Sequence, residues 1–337
     1  MNLERQIEEI ARDARAASHT VSTLSATQKN AWLRRAAERL EGAKDTILEA
    51  NQRDIREAKE KGVATPLVRR LELGGGKWES MVDGLHQVAA LPDPVGEISE
   101  MRVRPNGLRV GRMRIPLGVI AIIYESRPNV TVDAAALCVK AGNSVILRGG
   151  SESFHANQAL GAEMRAALAD TGIPEAAVSV IPTTDRAAID HFLKLDKYID
   201  LVIPRGGYGL VRKVKQESTI PVIAHDEGVC HVFLDASADA QMATEIVMDS
   251  KIHQMAVCNG LETLLCHADA AETVLPSVLK ALHEDGVEIR GCETTCEVFS
   301  EAVPASEADW AEEFLDAVLA VRVVADMDAA IEHLQRW

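Results

Sequence analysis

The sequence predicts an α/β protein organised around a parallel β-sheet. Two observations predict it. From Gly118 onward, short apolar runs such as GVIAIIY, SVILRGG and DLVIPRGG alternate with helical segments. Those runs are continuously apolar, as expected of strands buried on both faces. A strand–helix–strand series of this kind folds into a parallel sheet with right-handed crossovers.

The elements follow in order. Up to about Asp93 the chain reads as helical. Ser25 begins SATQ, a Ser-x-x-Gln capping box ahead of NAWLRRAAERLEGA. Arg and Glu alternate with Ala and Leu at helical spacing, which marks solvated faces. GGGK at Gly74 to Lys77 invites a phosphate-loop reading, but no Gly stands five positions before Gly76 and Trp78 replaces the magnesium-holding hydroxyl. A helix boundary is the expectation there. From Ile98, ISEMRVRPNGLRVGRMRI alternates around Pro105-Asn106-Gly107, a hairpin signal. Arg102, Arg104, Arg109, Arg112 and Arg114 line this ribbon, which is expected to project as a solvated or subunit-contacting hairpin. Then come GVIAIIY as a strand, VDAAALCVKAG as a helix closing on Gly142, SVILRGG as a strand and HANQALGAEMRAALADTG as a helix. AVSVIPTT, DRAAIDHFLKL, DLVIPRGG, YGLVRKVKQES and IPVIAH continue the alternation.

Composition narrows the function. The 337 residues, 47% apolar and 26% charged, suffice for two lobes and a large core. A net charge of -15 argues against a duplex nucleic-acid binder or an anionic membrane surface as partner. No apolar run reaches the roughly 20 residues of a spanning helix. MNLERQIEEIARDARAA lacks the apolar core of a signal peptide, so a cytoplasmic location is expected. There the six cysteines should be reduced. Three cysteine chemistries compete. A zinc site would use Cys292 and Cys296, in CETTC, with Cys266 and His267, but no second ligand pair completes it, and no metal is expected. An inert buried thiol is the reading for Cys138 in its apolar helix. A catalytic thiolate is the third, and Cys258 in AVCNG is the candidate.

Ligands of open parallel sheets bind beyond the carboxyl ends of the strands. Those ends read Tyr124-Glu125-Ser126-Arg127, Arg148-Gly149-Gly150-Ser151, Pro182-Thr183-Thr184 and Pro204-Arg205-Gly206-Gly207. They are Gly-rich, hydroxyl-bearing and basic, and helix N-termini there favour anions. A nucleotide cofactor is the natural reading, although RGGYG is not the GxGxxG fingerprint.

PLGVIAIIYESRPNVTVDAAALCVKAGNSVILRGGSES, DLVIPRGG and AVCNGLETLL closely resemble the γ-glutamyl phosphate reductase (glutamate-5-semialdehyde dehydrogenase) family of the aldehyde dehydrogenase superfamily. The resemblance covers essentially the whole chain. It implies an aldehyde dehydrogenase-like fold: a parallel-sheet NADPH-binding domain over 1–97 and 116–248, an oligomerisation hairpin over 98–115, and an α/β catalytic domain over 249–337. It implies reduction of L-glutamyl 5-phosphate by NADPH to glutamate 5-semialdehyde with release of phosphate, the second step of proline biosynthesis. A homo-oligomer, and glutamate 5-kinase as pathway partner, are further implications.

Matched residue by residue, the resemblance makes Cys258 the nucleophile and Asn129 an oxyanion-hole donor. Arg148 and Ser151 fall on the adenosine ribose and its phosphate. Gly206 and Gly207 fall on the pyrophosphate turn, Glu313 near the nicotinamide ribose, and Arg127 and His225 toward the substrate. His225 stands roughly where hydrolytic relatives carry a water-activating Glu, with Asp226 and Glu227 beside it in sequence.

Three departures stand out. Gln254-Met255 replaces the family's Arg-Pro, and Ala224 replaces its Lys, so two cations near an anionic substrate are lost. Family members also run on past the position of Trp337 through a Gly-rich segment and a final strand that pairs with the hairpin; without that strand the ribbon is expected to keep an unpaired edge. Two other functions therefore stand beside the first: a catalytically impaired nucleotide-binding relative, and a reductase or dehydrogenase for another acyl phosphate or aldehyde.

Overall fold

The computed structural model describes residues 3–63, 65–225, 228–253 and 255–337. The chain divides into two compact units, Met1–Ala224 and His225–Trp337.

The first unit begins with five helices: α1 (Leu3–Val21), α2 (Ala26–Gly42), α3 (Lys44–Glu60), α4 (Thr65–Leu71) and α5 (Gly76–Ala90). Ser25 caps α2 with the expected box: its hydroxyl accepts from the Gln28 amide, and the Gln28 side chain accepts from the Ser25 amide. Gly75 precedes α5, so GGGK is a helix boundary. Next comes the hairpin of β1 (Ile98–Val103) and β2 (Arg109–Met113), antiparallel to one another, with every residue of both strands exposed. Arg112 and Arg114 pair with Glu100 and Glu97 at 3.4 and 3.2 Å, so part of the ribbon's positive charge is neutralised locally.

The sheet of this unit is built from β3 (Val119–Tyr124), β4 (Ser144–Arg148), β5 (Val178–Val180) and β6 (Leu201–Arg205), all parallel, in the order β5-β4-β3-β6. The crossovers carry α6 (Val130–Lys140), α7 (Phe154–Asp170) and α8 (Ala187–Phe192), and α9 (Tyr208–Glu217) follows β6. Two cores explain the continuous apolar runs. Ile120, Ile122 and Tyr124 enter one core with α2, α5, α6 and α7, whereas Val119, Ala121 and Ile123 enter the other with α1, α8 and α9. Both faces of the sheet are thus covered, and alternation disappears from the sequence. Trp32 of α2, fully buried, donates its indole N–H to the Met164 carbonyl of α7 at 3.3 Å.

IPVIAH does not add the expected strand. Only an isolated bridge joins Val222 to Val202, because Pro221 has no N–H to donate and contributes its carbonyl alone, to the Val202 amide.

The second unit contains β7 (Cys230–Leu234), α10 (Ala240–Ile252), β8 (Leu261–His267), α11 (Leu275–Glu284), β9 (Glu288–Gly291), α12 (Glu293–Val298), β10 (Val303–Pro304), β11 (Val318–Val324) and α13 (Met327–Arg336). Its strands form a parallel sheet in the order β10-β9-β11-β8-β7. Leu264 and Cys266 face α10 and α11, whereas Leu265 faces α13. The division into compact units falls at 224/225, whereas the expected domain boundary between 248 and 249 lies inside α10. The cause is β7, which hydrogen-bonds to β8 and carries the 230–252 segment into the second sheet. Among the described residues, no helix is long and apolar enough to cross a membrane.

His333 of α13 is buried, accepting from the Arg322 guanidinium at 3.1 Å and stacking edge-on against His231 and Trp310. Burial first, then the neighbouring His231, Arg322 and Arg336 charges, push its pKa down to about 4. The unfolded chain takes this proton near pH 6.5, the folded chain only near 4. Its contribution to stability is therefore complete above pH 6.5 and is lost as the pH falls toward 4. Thermal midpoints measured at pH 7 and pH 5 should differ less in His333→Gln than in the wild type; an unchanged difference would show that His333 is not the group responsible.

Candidate active site

Each unit brings its own set of candidate residues together. In the first, the carboxyl ends of β3, β4 and β6 meet the N-termini of the helices that follow. The Tyr124 hydroxyl bonds Thr131 at 2.7 Å, and Thr131 bonds Asn157 at 3.1 Å, so a buried polar chain fixes the end of β3 to α6 and α7. Ser126 sits at φ 48, a left-handed conformation for a non-glycine residue. Glu152 holds it there, accepting from both the Ser126 amide at 2.7 Å and its hydroxyl at 2.9 Å. From outside the sheet, Asp54 of α3 accepts from the His155 and Ala156 amides at the start of α7. Burial pushes the Asp54 carboxyl up, and the two amides oppose that rise.

The expected cofactor residues lie on this rim. Ser151 is exposed and lines a cavity of about 340 Å³ with Asp54, Glu57, Lys61, Glu125, Ser126 and Glu152. Gly206 and Gly207 form the exposed turn into α9. The Gly207 amide donates to Glu125 at 3.0 Å, and a Cβ on Gly206 would stand 2.4 Å from the same carboxylate oxygen. An anion therefore already rests against this turn. Arg148 is not a surface cation: it is 8% exposed, and its guanidinium donates to the Gly149 and Thr184 carbonyls, while Nε is buried without a partner. Burial lowers its pKa. Asn129 is half-buried at the start of α6, and its amide donates to Asp133 at 2.9 Å. Arg127, two residues earlier, is half-buried as well.

In the second unit, Cys258 is exposed in the loop between α10 and β8. Gly228 is the pivot of its surroundings. A Cβ there would approach the Cys258 carbonyl to 3.1 Å and His225 Cε1 to 3.2 Å, so the missing side chain lets the loop and the imidazole close on the same point. The Cys230 thiol donates to the Cys258 carbonyl at 3.5 Å. Its pKa is raised, first by burial and then by the negative groups at Cys258, Glu262 and Glu313. The half-buried Glu313, in the segment before β11, is near enough to Cys230 for its charge to reach that thiol. Met255 and Ala224 are half-buried; Gln254, Asp226 and Glu227 lie outside the described residues.

All six cysteines are free. Cys292 accepts from the Val323 amide at 3.3 Å and bonds Thr295, while Cys266 and Cys296 are close enough to feel its charge. Among the described residues no group of three His, Cys, Asp or Glu is arranged to hold a metal.

The residues that sequence reasoning passed over are Asp54, Glu152, Cys230 and Glu262; Glu125 was named only as part of a strand end. Strand-end position was the available signal for Glu152 as well. Asp54 reads as one more charge on a solvated helix face.

Burial separates the thiols chemically. It pushes Cys138 up to about 12 and Cys266 to about 11, which suppresses their thiolates at neutral pH. Substoichiometric iodoacetamide at pH 7.5, followed by peptide mapping, should label Cys258 before either; preferential labelling of Cys138 or Cys266 would contradict the observed exposure.

Comparisons with known proteins identify the family and the fold. The aldehyde dehydrogenase family model matches residues 2–288. A γ-glutamyl phosphate reductase of Desulfatibacillum aliphaticivorans is 49% identical over 337 residues, all of this chain and 81% of that relative. One from Moorella thermoacetica is likewise 49% identical over the same shares. The crystal structure of the γ-glutamyl phosphate reductase of Thermotoga maritima superposes with a TM-score of 0.94 at 42% identity, covering 98% of this chain and 80% of that one. An acetylating aldehyde dehydrogenase of Geobacillus thermoglucosidasius, at 17% identity and TM-score 0.64, shares the fold. The chain thus has the aldehyde dehydrogenase-like α/β fold of two parallel sheets and a hairpin, and it belongs to the aldehyde dehydrogenase family, within it to the γ-glutamyl phosphate reductases.

Proposed function

We propose that this enzyme reduces L-glutamyl 5-phosphate to glutamate 5-semialdehyde with NADPH, releasing phosphate, through a thioester on Cys258. The observation that carries the reading is the exposed Cys258 thiol on a loop brought close to His225 by Gly228, in a chain 49% identical to named reductases of this substrate. A thiolate is a strong nucleophile and phosphate a good leaving group, so attack at the acyl carbon forms the C–S bond and a tetrahedral oxyanion, whose collapse breaks the C–O bond and releases phosphate. The oxyanion formed on the way needs donors, and the backbone N–H of Cys258 is one; the family resemblance makes Asn129 another. The Asn129 amide donates to Asp133 at 2.9 Å, which restrains its rotamer. His225, in place of a water-activating carboxylate, fits an enzyme that must keep its thioester from water.

The residues of the first unit fit a nicotinamide dinucleotide. The Gly207 amide at this turn points to an anion, the Glu125 carboxylate, and a pyrophosphate would take that amide in place of Glu125. Carboxylates and Ser151 around the neighbouring cavity suit ribose hydroxyls, with Lys61 as the local cation for a further phosphate. Arg148 keeps one buried N–H unpaired at the same strand end. When bound, the cofactor supplies the hydride that takes the thioester to the aldehyde level. Glu313 is the carboxylate proposed for its nicotinamide ribose. A cytoplasmic homo-oligomer joined through the 98–115 hairpin, working next to a glutamate 5-kinase, completes the proposal.

The reaction is tested in reverse, with NADP, glutamate 5-semialdehyde and phosphate. Cys258→Ser should lower kcat by roughly 10³-fold or more while NADPH binding stays within about twofold. Turnover within about tenfold of the wild type would refute the thioester.

A further inference from the structure

Lys251 and Glu262 form an ion pair at 2.8 Å with side chains 0% and 1% exposed. Lys251 lies in the last turn of α10 and Glu262 is the second residue of β8, so the pair closes the base of the loop that carries Cys258. The other Glu262 oxygen accepts from the Leu315 amide at 3.0 Å. Leu315 stands at φ 53, two residues after Glu313. A left-handed leucine is a costly conformation that persists only when its surroundings hold it. The hydrogen bond to Glu262 is such a hold. A buried ion pair is weak evidence for stability, since well-packed apolar residues often replace one without loss. Here the carboxylate has two separate jobs, one on each oxygen.

We infer that Glu262 is a positioning residue for the reaction: through Lys251 it fixes the loop of Cys258, and through the Leu315 amide it fixes the segment of Glu313. The inference rests on the reading of Cys258 and Glu313 given above. Hydride transfer needs the acylated sulfur and the nicotinamide in register, and a displacement of about 1 Å can cost on the order of 100-fold in rate. A single rigid carboxylate joining the two segments limits such displacement.

Two double variants separate the positioning role from the charge pair. K251M/E262Q removes both charges but keeps a side-chain oxygen for the Leu315 amide. K251M/E262L removes the charges and the acceptor. NADPH binding is read by nicotinamide fluorescence, and amide exchange is read over 311–317. K251M/E262Q should bind NADPH within about threefold of the wild type. K251M/E262L should bind at least about tenfold more weakly, with faster exchange over 311–317 and a thermal midpoint close to that of K251M/E262Q. Glu313→Gln should weaken binding to a similar extent. If Glu313→Gln weakens binding and the two double variants bind alike, the positioning role is overturned while the reading of Glu313 stands. If Glu313→Gln binds as the wild type does, that reading fails and the inference falls with it. Should K251M/E262L not fold, exchange in the wild type decides: the Leu315 amide must exchange as slowly as the amides of β8, and exchange at the rate of an open loop overturns the hold.

Discussion

Parallel hydrogen-bonded pairing is the constraint on which the molecule depends. Strands that run the same way end on the same side, so every loop that leaves a carboxyl end opens onto one rim. In the first unit this gathers the residues after β3, β4 and β6 without any one of them being near another in sequence. It also aims the amides of α7 and α9 at the rim, where Asp54 and Glu125 answer them. The helices that return the chain cover both sheet faces, and that accounts for two separate cores in this unit.

Much of this was legible because its physics is local. A strand buried on two faces writes a continuous apolar run, which located Val119–Tyr124 and Ser144–Arg148. Pro105-Asn106-Gly107 wrote the hairpin, and Ser25 with Gln28 wrote the start of α2. What failed was not local. IPVIAH and CHVFL look alike as apolar runs, yet Pro221 reduces one to a bridge while the other joins a different sheet. No nearby residue announces which sheet a run will enter, and the sequence therefore gives no sign that the compact units part at 224/225.

The site shows the same division. The resemblance singled out Cys258 among six cysteines that composition cannot rank. The strand-end rule pointed to Ser151, Gly206 and Gly207, and it put Glu125 within view. Arg148 was harder, since an arginine at a strand end gives no sign that its guanidinium will turn back onto the Gly149 and Thr184 carbonyls. Glu262 was harder still. A glutamate in LETLL violates the apolar pattern of a buried strand, and such violations are where a function is worth seeking. Its partners lie 11 residues before it and 53 after it, which no local pattern reveals.

The hairpin has a consequence of another kind. Ile98, Met101, Val103, Leu108, Val110 and Met113 all face solvent, so the ribbon adds no apolar side chain to either core. Neither unit loses packing if these six are replaced by polar residues. Selection for a stable monomer would therefore be indifferent to their greasiness, and solubility would favour removing it. Any burial of these six side chains must come from outside the two folding units.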